Sequence, residues 1–153
     1  MKTQALDRIL ARAPVLPVLA FDQIEHAVPL ARTLVAAGLP VLEVTLRSAI
    51  ACEAIRRIVA EVEGAIVGAG TVLTAADLDA VAAAGAQFAI SPGATAALYD
   101  AAADRALPFL PGVATASELM AGLERGLDRF KLFPAASLGG TGLLKAWHGP
   151  FAA

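Results

Sequence analysis

Cysteine is nearly absent. The 153-residue chain carries one, Cys52, so no intrachain disulfide can form and a reducing compartment is the default. Histidine is almost as scarce: His26 and His148 lie far apart, and neither belongs to an HxxxH or Cys/His cluster. A tight zinc site would have to draw most of its ligands from carboxylates, which is uncommon, so no metal is expected. There is no basic excess either. The formal net charge is -2, too little positive field to attract nucleic acid or an anionic lipid surface. Apolar runs are short and broken by Gly, Pro or charge, so no membrane span is expected. The start, Met1 to Arg8, lacks the apolar centre of a secretory signal, which points to the cytoplasm. What remains is 58% hydrophobic and 17% charged, which excludes disorder and suits one domain over 1–153 with a sizeable core.

Apolar strands alternate with Ala-rich helices. The strand candidates are Val15–Phe21, Val41–Arg47, Ala65–Val72, Phe88–Gly93, Pro108–Val113 and Arg129–Ala135, their starts spaced by 20 to 26 residues. That period predicts stacked βα units and a parallel sheet. A helix over 25–37 places Ala27, Leu30, Leu34 and Val35 on one face, and another covers 49–61. Thr74, Thr95 and Ser117 read as helix N-caps. A first helix, about 3–11, precedes strand one and could plug one end of a barrel.

Two parallel architectures compete. A doubly wound sheet announces itself by a Gly-rich turn after strand one, but here that strand ends in Phe21-Asp22-Gln23. Gly68-Ala69-Gly70-Thr71-Val72-Leu73 starts like GxGxxG but has no third glycine. Polar residues recur instead at strand C-terminal ends: Thr45, Arg47, Thr71, Ser91 and Lys131. That distribution predicts a TIM (β/α)8-type barrel with only its first six βα units in this chain.

Glu43, Thr45 and Arg47 share one face of their strand, with Leu42, Val44 and Leu46 on the other. Charges on a barrel's inner face are costly unless paired or used, so either a plain Glu43–Arg47 ion pair or chemistry explains them. Lys131 stands in Arg129-Phe130-Lys131-Leu132-Phe133-Pro134, and the chain has three lysines against nine arginines. Arginine would serve a purely electrostatic task. Lysine can also give up its proton in an apolar pocket and attack a carbonyl. The alternative is a lysine snorkelling from a strand end. Thr71, behind two glycines, could hold a carboxylate or merely cap a turn. Pro92-Gly93 is ordinary turn punctuation, and Gly139-Gly140-Thr141-Gly142 before a helix reads as a flexible loop, with an anion nest as the alternative. Cys52, Tyr99 and Trp147 read as packing residues, and His26 as surface.

Four runs in order carry a resemblance. Val41-Leu42-Glu43-Val44-Thr45-Leu46-Arg47, Ile66 to Leu73, Phe88-Ala89-Ile90-Ser91-Pro92-Gly93 and Phe130-Lys131-Leu132-Phe133-Pro134-Ala135 closely resemble the 2-keto-3-deoxy-6-phosphogluconate (KDPG) and 4-hydroxy-2-oxoglutarate (KHG) aldolases. The resemblance spans about residues 8–151 and implies class I, cofactor-free chemistry of the Entner-Doudoroff pathway. Lys131 would form a Schiff base with the C2 ketone, and Glu43 would be the general acid/base. Arg47 and Thr71 would hold the pyruvyl carboxylate, while Pro92 and Phe133 would pack on its apolar part. Products would be pyruvate and glyceraldehyde 3-phosphate, or pyruvate and glyoxylate from 4-hydroxy-2-oxoglutarate. A homotrimer is implied as well. Thr45 and Arg47 favour this branch over the related 2-keto-3-deoxy-6-phosphogalactonate aldolases, which typically have Pro and Asn there. Family members run to a full eight-unit barrel of ~200 residues or more. The resemblance thus implies a C-terminally truncated chain, with a complete pyruvyl half-site and no phosphate-binding loops. The competing readings are an inactive remnant or carboxylate-binding fragment, and another phosphosugar barrel enzyme such as an isomerase or decarboxylase.

Overall fold

The computed structural model describes residues 2–151, with side chains from residue 4 onward. Helix α1 (Lys2–Leu10) leads into β1 (Val18–Leu19), α2 (Ala27–Ala36), β2 (Val41–Thr45), α3 (Ala51–Glu61), β3 (Ile66–Gly70) and α4 (Ala75–Ala83). There follow β4 (Phe88–Ile90), α5 (Ala96–Ala103), β5 (Phe109–Leu110), β6 (Gly112–Val113), α6 (Ala116–Glu124), β7 (Lys131–Leu132) and α7 (Thr141–Phe151). All pairings are parallel, in the order β1-β2-β3-β4-β5 and, separately, β6-β7. The expected fifth strand is split at Pro111, which has no N–H to donate. Its first half pairs with β4. Its second half pairs with β7, where the Lys131 amide donates to the Pro111 carbonyl at 2.9 Å. The hydrogen-bonded ladders are shorter than the apolar runs that mark them in sequence, most of all at β1 and β7. The result is an α/β fold of six consecutive units of a (β/α)8-type barrel.

The two faces of the strands go to different cores. Leu42, Val44, Val67, Ala69 and Ala89 point outward and pack with Ala31, Ile55, Ile58, Leu78 and Val81 from the helices. Val41, Phe88, Ile90 and Leu110 point inward at the N-terminal end, where Leu6 of α1 joins them. Helix α1 therefore closes that end, as its position before strand one suggests. The interior has a large-on-small fit. Gly68 lies opposite Phe88 in register, and a Cβ on Gly68 would fall 2.2 Å from the Phe88 ring. The glycine is vacant space for the aromatic ring.

Two helices open on reciprocal caps. The Thr74 hydroxyl accepts from the Asp77 amide, and the Asp77 carboxylate accepts from the Thr74 amide. Thr115 and Glu118 repeat the arrangement on α6. Thr95 caps α5 as expected, but Ser117 does not cap α6. It lies inside the first turn, and the acid three residues on belongs to Thr115, whose extended backbone (φ -131°, ψ 158°) suits a cap. Tyr99 is buried against Phe109, ring to edge, with centroids 6.4 Å apart. Trp147 is only half-buried, on α7, which has no fully buried residue. Among the described residues no helix is long and apolar enough to cross a membrane.

Candidate active site

The polar ends of the strands converge at the C-terminal mouth, opposite α1. Strand β2 contributes Glu43, an inward position of a strand whose residues are all buried, and Glu43 itself is 2% exposed. Strand β7 contributes Lys131, 88 residues further along. Its Nζ lies 3.2 Å from Oε1 and 3.2 Å from Oε2 of Glu43. Of the two explanations for these charges, a plain Glu43–Arg47 ion pair does not form among the described residues: the carboxylate turns to Lys131 instead. The lysine does not snorkel away. Its side chain is 27% exposed, and its amine sits 5.6 Å from the centre of the Phe133 ring. An amine that faces a buried carboxylate yet remains reachable can exchange protons with it at hydrogen-bond distance.

Gly70 makes room for this pair. A Cβ there would lie 2.0 Å from Oε1 of Glu43 and 2.7 Å from its Cδ. The carboxylate occupies the volume that any other residue at position 70 would fill. The two glycines ahead of Thr71 are thus both filled by neighbouring side chains, Gly68 by Phe88 and Gly70 by Glu43. Gly112 works similarly at the fifth strand, where a Cβ would meet the Pro92 carbonyl at 2.2 Å.

Thr71 follows Gly70 with φ 59°, the only non-glycine with positive φ among the described residues. For a β-branched residue this is strained, at a cost of order 1–3 kcal/mol, and such strain clusters at functional sites. Arg47 extends beyond the last residue of β2 and is exposed. Its Nε donates to the Thr45 hydroxyl at 3.3 Å, and its terminal nitrogens make no hydrogen bond among the described residues. Pro92 and Phe133 flank the mouth after β4 and β7, half-buried and exposed respectively. Neighbouring hydroxyls of Ser48 and Ser91 are buried without a partner among the described residues. Of the six residues singled out in the sequence, Arg47, Thr71, Pro92 and Phe133 lie just past the C-terminal ends of β2, β3, β4 and β7, whereas Glu43 is the middle residue of β2 and Lys131 opens β7. From sequence Thr45 is a member of the Glu43-Thr45-Arg47 face without a task of its own, and Gly70 one of two glycines ahead of Thr71; the signal for both is register, since each lies two positions after an inward-facing residue of its own strand.

A cavity of about 390 Å³ lies elsewhere, between α1, α5 and α6, lined by Leu6, Tyr99, Phe109, Arg125 and Arg129 among others. Among the described residues no group of three or more His, Cys, Asp or Glu is placed to hold a metal ion.

Residues 6–153 match the family model for KDPG and KHG aldolase. The 2-dehydro-3-deoxy-phosphogluconate aldolase of Dickeya dadantii is 54% identical over 150 residues, 98% of this chain and 70% of that protein. The KHG/KDPG aldolase of Escherichia coli K12 matches at the same identity and coverage. Among solved structures, the KDPG aldolase of Legionella pneumophila, with pyruvate captured at low pH as a covalent carbinolamine intermediate, superposes with a TM-score of 0.94. It is 46% identical, covering 99% of this chain and 73% of that one.

Proposed function

The chain belongs to the KDPG and KHG aldolase family, and from that premise we propose that it is a class I aldolase acting through a Schiff base on Lys131. The substrate is 2-keto-3-deoxy-6-phosphogluconate, cleaved to pyruvate and glyceraldehyde 3-phosphate. 4-Hydroxy-2-oxoglutarate, cleaved to pyruvate and glyoxylate, presents the same pyruvyl half. No cofactor takes part.

The contact of Lys131 Nζ with both oxygens of the buried Glu43 carboxylate carries this reading. In the deprotonated form, Nζ adds to C2 of the keto acid to give a carbinolamine. Loss of water gives the iminium. Removal of the C4 hydroxyl proton then turns C4 into the aldehyde carbon, and the C3–C4 electron pair moves into the C2–C3 enamine, drawn by the iminium nitrogen. Protonation at C3 and hydrolysis release pyruvate and restore Lys131. Glu43 is the acid/base for these transfers, work that contributes about 10²- to 10⁴-fold. The free terminal nitrogens of Arg47 and the hydroxyl of Thr71 receive the carboxylate. A guanidinium suits this because its fork matches two carboxylate oxygens. Pro92 and Phe133 cover the apolar side of the pyruvyl unit. A homotrimer accompanies the proposal on family resemblance alone, and a cytoplasmic setting suits the metabolic aldolases that the chain matches.

The test is borohydride reduction in the presence of pyruvate, followed by peptide mass spectrometry. An adduct on Lys131, absent from Lys131→Arg and from the peptide containing Lys145, is the expected result. Folded protein that gives no adduct would overturn the reading in favour of a non-catalytic fragment or a different barrel chemistry.

A further inference from the structure

Thr45 is a buried polar residue at the mouth to which the chemistry above gives no task. It follows Val41 and Glu43 as the third inward position of β2 and is 2% exposed. Its hydroxyl makes two hydrogen bonds of opposite sense. It donates to the Leu19 carbonyl of β1 at 3.0 Å and accepts from Arg47 Nε at 3.3 Å. A hydroxyl has one proton, and here Leu19 takes it. Toward Arg47 the oxygen is then an acceptor only, which is what a guanidinium, a pure donor, requires. The polarity of the relay is fixed at both ends.

The consequence falls on Arg47. An exposed arginine past the end of a strand has much rotamer freedom, and ordering it opposes binding. Holding Nε leaves two terminal amino groups on one edge, with no partner among the described residues. We infer that Thr45 is a positioning residue. It ties the Arg47 guanidinium to the β1 edge and aims its free edge at the keto acid carboxylate, without itself touching substrate. The inference rests on the carboxylate-binding role proposed for Arg47. It concerns affinity and leaves the covalent step at Lys131 alone.

The experiment measures, on the full chain, the pyruvate concentration giving half-maximal borohydride trapping on Lys131, together with the maximal trapping rate. Thr45→Val keeps the shape and removes the hydroxyl. It raises the half-saturating concentration about 3- to 10-fold, the equivalent of one net hydrogen bond, with the maximal rate unchanged. Thr45→Ser restores the oxygen and recovers most of the affinity. In an Arg47→Gln background, Thr45→Val adds nothing further, because the group it aims is gone. Should Thr45→Val fail to fold, Thr45→Ala carries the same prediction. An unchanged half-saturation in Thr45→Val, or an equal effect in both backgrounds, overturns the inference and leaves the aldolase reading standing. Wild-type pyruvate dependence in Arg47→Gln overturns the Arg47 role and this inference with it. No adduct on folded wild-type protein overturns the aldolase reading itself.

Discussion

At the scale of single residues, burial and near neighbours decide what a side chain does. Glu43 and Lys131 each looked out of place in an apolar strand, and each explains the other once β2 and β7 face across the interior. Tyr99 is the opposite case, a polar tip that lies in packing. Burial pushes its phenol above the ordinary value near 10, against a smaller lowering by Arg125, whose guanidinium lies 5.0 Å from the ring centre. It is the only tyrosine in the chain, so the ultraviolet absorbance of tyrosinate reads this one group. In folded protein the titration midpoint should lie above that of the unfolded chain. The sign of the linkage follows. A folded-state pKa raised above the unfolded one contributes stability that is complete below the unfolded pKa and lost as pH rises through the folded one. Stability should therefore fall on the alkaline side of pH 10, and Tyr99→Phe should flatten that fall. A midpoint at or below that of free tyrosine would contradict this account.

At the scale of elements, register does the positioning. Strand β3 is set against β2 so that Glu43 pairs with Gly68 and Thr45 with Gly70, and the Glu43 carboxylate leans over Gly70. A Gly70→Ala methyl would enter that carboxylate, and because Glu43 is enclosed, the carboxylate must leave Lys131. Turnover should drop by about 10²-fold or more, the scale of lost acid–base catalysis. Stability should fall by about 1–3 kcal/mol from overpacking. Adding Glu43→Ala should return the stability, since the clash is gone, but not the turnover. Thermal melts and pyruvate release distinguish the two effects, and near-wild-type turnover in Gly70→Ala would refute the notch. This notch also marks how far the sequence could be read. Period-two alternation in Val41–Arg47 disclosed which side chains point inward, and the lone lysine of an apolar strand disclosed the amine. Alternation says nothing about which strand lies beside which, so neither the large-on-small fit of Phe88 over Gly68 nor that of Glu43 over Gly70 was legible. Nor was the cap of α6, where Ser117 drew attention from the Thr115-x-x-Glu118 box. The split of strand five was written in Pro111, but only the pairing of its two halves with different neighbours makes it visible.

At the scale of the whole molecule, the six units leave two strand edges without a second neighbour. Among the described residues, β1 pairs only with β2, and β7 only with β6. The chain spans 70% of the length of its Dickeya dadantii relative. Val18 is in register with Glu43 and so points inward, yet it is 50% exposed, and Phe133 by β7 is 43% exposed. Inward side chains of a barrel are ordinarily enclosed, so this seam presents unpaired backbone and apolar surface together. Such edges pair with other chains. The β1 and β7 edges are different surfaces, so pairing one with the other is head-to-tail and closes only if the rotation happens to allow it. For the 153-residue chain, this edge pairing would add to the proposed homotrimer, so sedimentation should show an average mass that keeps rising with concentration past the trimer. Val18→Lys places a charge on the edge that a neighbouring strand would have to bury, and should turn the rise into a plateau. Because Val18 lies beside the Glu43 register, pyruvate trapping on Lys131 in the same variant tells a blocked edge from a disrupted mouth. A plateau already present in the wild type would mean that the two edges do not recruit one another.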